Sequence, residues 1–98
     1  MKIIFTDQSK EDLQNIENYL LEVWNYKVYE NFLDQLDFAL DIISSGNVIF
    51  SKYDNTNYHK FLLTKHNTLI YEALENNLFI TRILQNFQDP EENLKSLT

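Results

Sequence analysis

The chain contains no cysteine. That removes disulfides, thiolate catalysis and cysteine-based zinc sites together, and it leaves the redox compartment unreadable. One glycine and one proline leave no glycine-rich loop to cradle a phosphate. Of the 8 basic residues only Arg82 is an arginine, the side chain whose planar fork best grips phosphate. Acids number 15, for a net charge of −7 and a pI near 4.6. A generic nucleic-acid binder carries a basic footprint instead. Long apolar runs are missing as well. In Met1-Lys2-Ile3-Ile4-Phe5-Thr6-Asp7 the apolar run is Ile3 to Phe5, whereas a signal peptide needs about 7–15 apolar residues and a spanning helix about 20. The expectation is a soluble cytoplasmic protein with no membrane partner and no cofactor.

What is present suffices for a core. Of 98 residues, 44% are hydrophobic, which argues against wholesale disorder and for one domain spanning 1–98. Lys2 to Phe5 is short and β-prone and reads as an opening strand. Ser9, followed three residues later by Asp12, resembles a capping box with Asp in the Glu position. Leu13, Ile16, Leu20, Val23 and Trp24 then recur at steps that place them on one helical face, with the helix ending near Trp24-Asn25. Val28, Tyr29, Phe32, Leu36, Ala39, Leu40 and Ile43 mark a second helix. Ser44-Ser45-Gly46-Asn47 stops it, with Gly46 placed for a left-handed cap. So short a connection makes the helices an antiparallel hairpin. This hairpin holds the acid: between Ser9 and Ser45, Lys10 and Lys27 face Glu11, Asp12, Glu17, Glu22, Glu30, Asp34, Asp37 and Asp41.

The rest of the chain changes character. Val48-Ile49-Phe50 precedes a polar stretch at Asp54-Asn55-Thr56-Asn57, and strands are expected over 58–63 and 68–74. Glu75-Asn76-Asn77 reads as a turn, because Asn tolerates positive φ. Leu78 to Phe87 is the longest strand candidate and reads as central. Gln88-Asp89-Pro90 ends it, since proline cannot donate to a ladder, and residues 91–98 form a polar tail. The fold class is therefore α+β: an N-terminal strand, an antiparallel helical hairpin, then a three- or four-stranded antiparallel sheet.

Outside the helices the cations cluster. Lys52, His59, Lys60, Lys65 and His66 fall in a stretch whose only acid is Asp54. One reading is a solvated sheet edge whose lysines block unwanted strand pairing. The other is a local anion or partner site inside an acidic protein. His59 and His66 are seven apart, an odd spacing that a flat strand would split between its two faces. No nearby acid completes a ligand set, so no metal site is expected. Either histidine suits general acid–base work near neutral pH, and a solvent-facing histidine without a role is the plainer reading. Arg82 and Tyr71 fall in the two strands expected to be central. A buried Arg82 needs an acid partner, from Glu72, Glu75 or the helices. Trp24, Tyr26, Tyr29, Phe32 and Phe38 lie near helical spacing and read as core or hairpin packing.

These stretches together resemble the RelE/ParE superfamily, the toxin halves of type II toxin–antitoxin (plasmid stabilisation) systems. The residues that carry the resemblance begin with Ser9-x-x-x-Leu13-x-x-Ile16-x-x-Tyr19, then Trp24, then Phe32-x-x-x-Leu36. They continue with Lys60-x-Leu62, Leu69-Ile70-Tyr71 and Leu78-x-Ile80-x-Arg82-Ile83-Leu84, and close in Asp89-Pro90. The resemblance implies a bacterial toxin whose partner is an antitoxin with a wrapping tail. It implies either mRNA cleavage on the ribosome or poisoning of DNA gyrase. The ribonuclease branch carries an arginine just before the Leu-Ile-Tyr strand core, where this sequence has Thr68. It carries another after the final strand, where Gln88 stands, and then a tyrosine, near Leu94 here. Many members end that strand in a histidine or basic residue, against Gln85 and Asn86. Losing one charge-stabilising group from such a site costs a hundredfold or more. The resemblance thus favours a ParE-like toxin acting by protein binding, with direct nucleic-acid contact not expected. Lys52, His59, Lys60 and Lys65 are its candidate partner-binding residues. The alternatives are an unconventional endoribonuclease built from Lys60, Lys65, His66 or His59 with Arg82, and a non-toxic member that keeps only fold and partner. Homo-oligomerisation stays open.

Overall fold

The computed structural model describes residues 2–45 and 58–85. Strand β1 (Lys2–Phe5) leads into helices α1 (Asp7–Val23) and α2 (Tyr26–Ser44), followed by β2 (His59–Thr64), β3 (Asn67–Leu74) and β4 (Asn77–Gln85). The sheet order is β1-β4-β3-β2, so β4, the longest strand, has a partner on each side. The α+β class and the element order are as the sequence predicts. The expected left-handed cap at Gly46, the apolar run Val48–Phe50, the Gln88-Asp89-Pro90 stop and the 91–98 tail lie outside the described residues.

Three local expectations are corrected. The sheet is not wholly antiparallel: β1 runs parallel to β4, with Lys2 opposite Asn77 and Phe5 opposite Ile80. Parallel neighbours need a long crossover, and the intervening helices and hairpin supply it. The cap of α1 is Thr6 rather than Ser9. Thr6 has an extended backbone and its hydroxyl accepts from the Ser9 N–H, while Ser9 is fully buried inside the first turn and donates to the Thr6 carbonyl. The positive φ of the β3–β4 turn falls on Glu75 (φ 55°) rather than on an asparagine. Leu74 pairs with Asn77, which leaves a two-residue loop, and the first residue of a type II′ loop has positive φ.

The core lies between the helices and one face of the sheet. From α2 it takes Phe32, Leu36, Ala39 and Ile43, at steps of four, three and four that keep one face inward. Asn25 caps that helix by accepting from the Val28 N–H. From the sheet it takes Leu63, Leu69, Tyr71, Leu78, Ile80 and Ile83. The last three break strict alternation, and the register explains why. Tyr71 pairs with Ile80 but Ile70 with Arg82, so Thr81 is an extra residue in β4. A bulge of this kind re-phases the strand and returns Ile83 to the core side.

Trp24, Tyr26 and Phe38 do not pack in this core. They are 59%, 66% and 60% exposed, and Val23 is exposed too. Trp24 and Tyr26 flank the break between the helices, outside a continuous helical register. Phe38 lies two residues from Leu36, about 200° around the helix. Of the five aromatics read as packing, only Phe32 is fully buried, and Tyr29 is half-buried.

Candidate functional site

Helix α1 buries an unusual stripe, Ser9, Asp12 and Ile16, in which one member is an acid. Its partner is Arg82 of β4. The guanidinium Nε donates to Asp12 Oδ2 at 2.7 Å and Nη2 donates to Oδ1 at 3.2 Å. Asp12 Oδ2 also accepts the Ile83 backbone N–H at 3.0 Å, and Gln8 donates to Oδ1 at 3.3 Å. β1 ends opposite Ile80, so β4 runs on past its parallel neighbour. The hydroxyl of Thr6 donates to the Ile80 and Thr81 carbonyls, and the Asp12 carboxylate takes up Ile83. Two side chains from the start of α1 thus complete a ladder that β1 leaves unfinished. Arg82 itself is not buried. Its side chain is 45% exposed and that of Asp12 only 9%, so the carboxylate is the group that needs the partner. Of the acids proposed from sequence, a helix acid fills the role, not Glu72 or Glu75.

A wider concavity lies elsewhere. A groove of about 520 Å³ opens between the end of α1, the start of α2 and the β2–β3 turn. Its apolar wall comes from Ile16, Leu20, Trp24, Val28 and Phe32. Opposite stand Thr64, Lys65, His66 and Asn67. The volume falls in the range that accommodates a ligand or a few side chains of a partner. No carboxylate lines it among the described residues. The turn has a defined hydrogen-bond pattern: the Thr64 hydroxyl accepts from the His66 N–H and donates to Asn67 Oδ1 at 3.1 Å. Asn67 is 4% exposed, and its buried Nδ2 has no hydrogen-bond partner.

The structure separates the cations that the sequence places side by side. Lys65 and His66 are exposed at the β2–β3 turn and border the groove. His59 opens β2 at the other end and stacks on its cross-strand neighbour Tyr71, with ring centroids 5.4 Å apart. Six strand residues at about 3.3 Å each put roughly 20 Å between the two histidines. Lys60 is exposed beside His59 and does not line the groove. Lys52 lies outside the described residues. No group of three or more potential metal ligands occurs among the described residues, and no helix there is long and apolar enough to cross a membrane.

Sequence reasoning placed the arginine's partner among the helix acids without singling out Asp12, and it missed Asn67 and the groove. Asp12 had a signal: it sits three residues after Ser9 and four before Ile16, on the stripe that turns inward. The groove had a weaker one, since Trp24 follows the last turn of α1 and cannot share its register with Tyr26.

Tyr29 faces a smaller recess that it shares with Phe5, Leu13 and Glu17. Its phenol is held above the ordinary value of 10, first by burial and then by the negative charge of Glu17.

This architecture, a helical hairpin on a mostly antiparallel four-stranded sheet, is a small α+β domain with a RelE/ParE-like fold. The solved structures that share it include chains from toxin–antitoxin systems. A chain of the chromosomal ParDE toxin–antitoxin system from P. aeruginosa superposes with a TM-score of 0.68 at 15% identity, covering 87% of this chain and 95% of that one. A chain of the heterotetrameric YoeB–YefM toxin–antitoxin complex from Staphylococcus aureus gives 0.60 at 17% identity, covering 89% and 98%. A YafQ variant from E. coli gives 0.58 at 11% identity, covering 86% and 91%. At these identities the likeness is one of fold. No family model and no curated protein matches the sequence.

Proposed function

We propose that this chain is the toxin component of a type II toxin–antitoxin pair, ParE-like in acting by binding a cellular target, and that its antitoxin seats in the groove between the helical hairpin and the β2–β3 turn. The observation that carries the reading is the end-to-end fold likeness to chains taken from toxin–antitoxin assemblies. The groove supports the second half. Trp24 is a large exposed aromatic on its rim, and aromatic anchors of this kind dominate interface energetics once covered.

Chemistry favours binding over RNA cleavage. The only arginine is engaged by Asp12. Lys60 and the Lys65–His66 pair lie towards opposite ends of β2. Thr68 stands where the ribonuclease branch carries an arginine. Among the described residues no set of cations converges on one point to neutralise charge developing on a phosphate.

Induction of the chain from a tight promoter, alone and together with the adjoining small open reading frame, tests this. Growth arrest relieved by the second gene, with transcripts left intact, is the expected result. Unimpeded growth at high soluble expression points to a non-toxic member that keeps only the fold. Transcript cleavage that depends on His66 points to the unconventional ribonuclease.

A further inference from the structure

Helix α2 turns two different faces away from the core. At about 100° per residue, Val28, Asn31 and Gln35, which line the groove, stand to one side, and Glu30, Asp34, Asp37 and Asp41 form a row on the other. These acids follow one another at steps of four, three and four, and all are exposed. Neighbours at that spacing are about 5–6 Å apart, and like charges there repel. Asp41 adds to the cost. It stands in the last turn, where the helix dipole disfavours an anion and no basic residue offsets it. Among the described residues none of the four carboxylates is engaged in an ion pair or hydrogen bond. Phe38 lies beside the row, one turn from Asp34 and one from Asp41, and is 60% exposed. A solvated helix face accounts for acids alone. It accounts neither for their repelling arrangement nor for a bare phenylalanine among them. Local choices that run against stability without a compensating contact are expected where a protein functions.

We infer that this outer face of α2 docks a basic polypeptide segment: one partner side chain covers the Phe38 ring, and two cations pair with Asp34 and Asp41. Seven residues at about 1.5 Å each put those acids about 10 Å apart, which sets the spacing of the partner's cations. Arginine suits both tasks, since its guanidinium pairs with a carboxylate through two N–H groups and stacks on an aromatic face. The chain's net charge of −7 steers such a partner inwards, and the same field repels nucleic acid and anionic membrane. Neither Phe38 nor any of the four acids lines the groove. A partner on this face is therefore independent of the antitoxin reading, and both can be bound at once.

Selection of displayed random peptides against the whole chain supplies the test, with peptides that also bind a Phe38→Ser variant set aside. Phe38 is exposed, so that variant should keep the fold. The remaining peptides should carry net positive charge, with cations flanking an apolar residue or an arginine. An Asp34→Asn/Asp41→Asn double variant should weaken them by about tenfold or more, and Trp24→Ser should leave their binding unchanged. Removing the two acids also relieves repulsion along the helix, so urea denaturation should find the double variant no less stable than the parent. That result separates lost binding from lost folding, and a less stable double variant contradicts the repulsion on which the inference rests. Peptides of neutral or negative charge, peptides indifferent to the double variant, or the absence of any peptide that depends on Phe38 overturn the inference and leave the groove reading untouched.

Discussion

Replacing Asp12 by alanine should be more damaging than removing the arginine it pairs with. The Asp12 side chain is 9% exposed and accepts from Arg82, Ile83 and Gln8. Its loss orphans the buried Ile83 N–H, at a cost of about 1–3 kcal/mol. The Arg82 side chain, 45% exposed, returns to water, so the lost ion pair adds only on the order of 1 kcal/mol. Asp12→Ala should therefore cost about 2–4 kcal/mol. For a domain of this size that lowers Tm by roughly 10–25 °C. Arg82→Gln leaves Asp12 its bonds to Ile83 and Gln8 and should cost about 1–2 kcal/mol. Urea denaturation of the two single variants and the double variant gives both values and their coupling, expected near 1 kcal/mol. An Arg82→Gln variant as unstable as Asp12→Ala, or a coupling of zero, refutes the assignment of Asp12 as the group that finishes the ladder.

Thr6→Ala removes the α1 cap together with the hydroxyl that serves the Ile80 and Thr81 carbonyls, and should cost about 1–2 kcal/mol by urea denaturation. Glu75→Gly relieves a positive φ at a non-glycine residue and should stabilise by about 0.5–1 kcal/mol; a loss of stability contradicts the turn geometry. Because the folded-state pKa of Tyr29 is raised, its contribution is complete below the unfolded value of 10 and is lost as pH rises through the folded value. Glu17→Gln should move its phenolate absorbance transition down towards 10, and an unchanged transition rejects Glu17 as a cause.

Much of the fold was legible because apolar spacing follows element geometry. Phe32, Leu36, Ala39 and Ile43 announced α2, and the density of branched residues after Tyr58 announced the sheet. Strand direction was not legible, because periodicity in Lys2–Phe5 says nothing about which way a neighbour runs. The phase break from Leu78 and Ile80 to Ile83 was visible in the sequence, but only pairing with β3 shows that Thr81 absorbs it. The exposed aromatics misled for a related reason: near helical spacing does not put Trp24 and Tyr26 in one helix, and the break between them turns both outward. The site was the least legible part. Lys60, Lys65 and the two histidines are close in sequence, yet β2 runs its full length between His59 and His66. The groove, in turn, joins residues from both helices and a turn more than 40 positions from Leu20.

The central claim is that a neutralising partner occupies the groove. It is tested most directly by the growth of cells that express a Trp24→Ser variant with and without the adjoining small gene. Trp24 is 59% exposed, so the fold and the toxicity should survive, while relief of growth arrest by the second gene should be lost or greatly weakened. Relief as complete as for the unsubstituted chain, at equal expression of both proteins, contradicts the account.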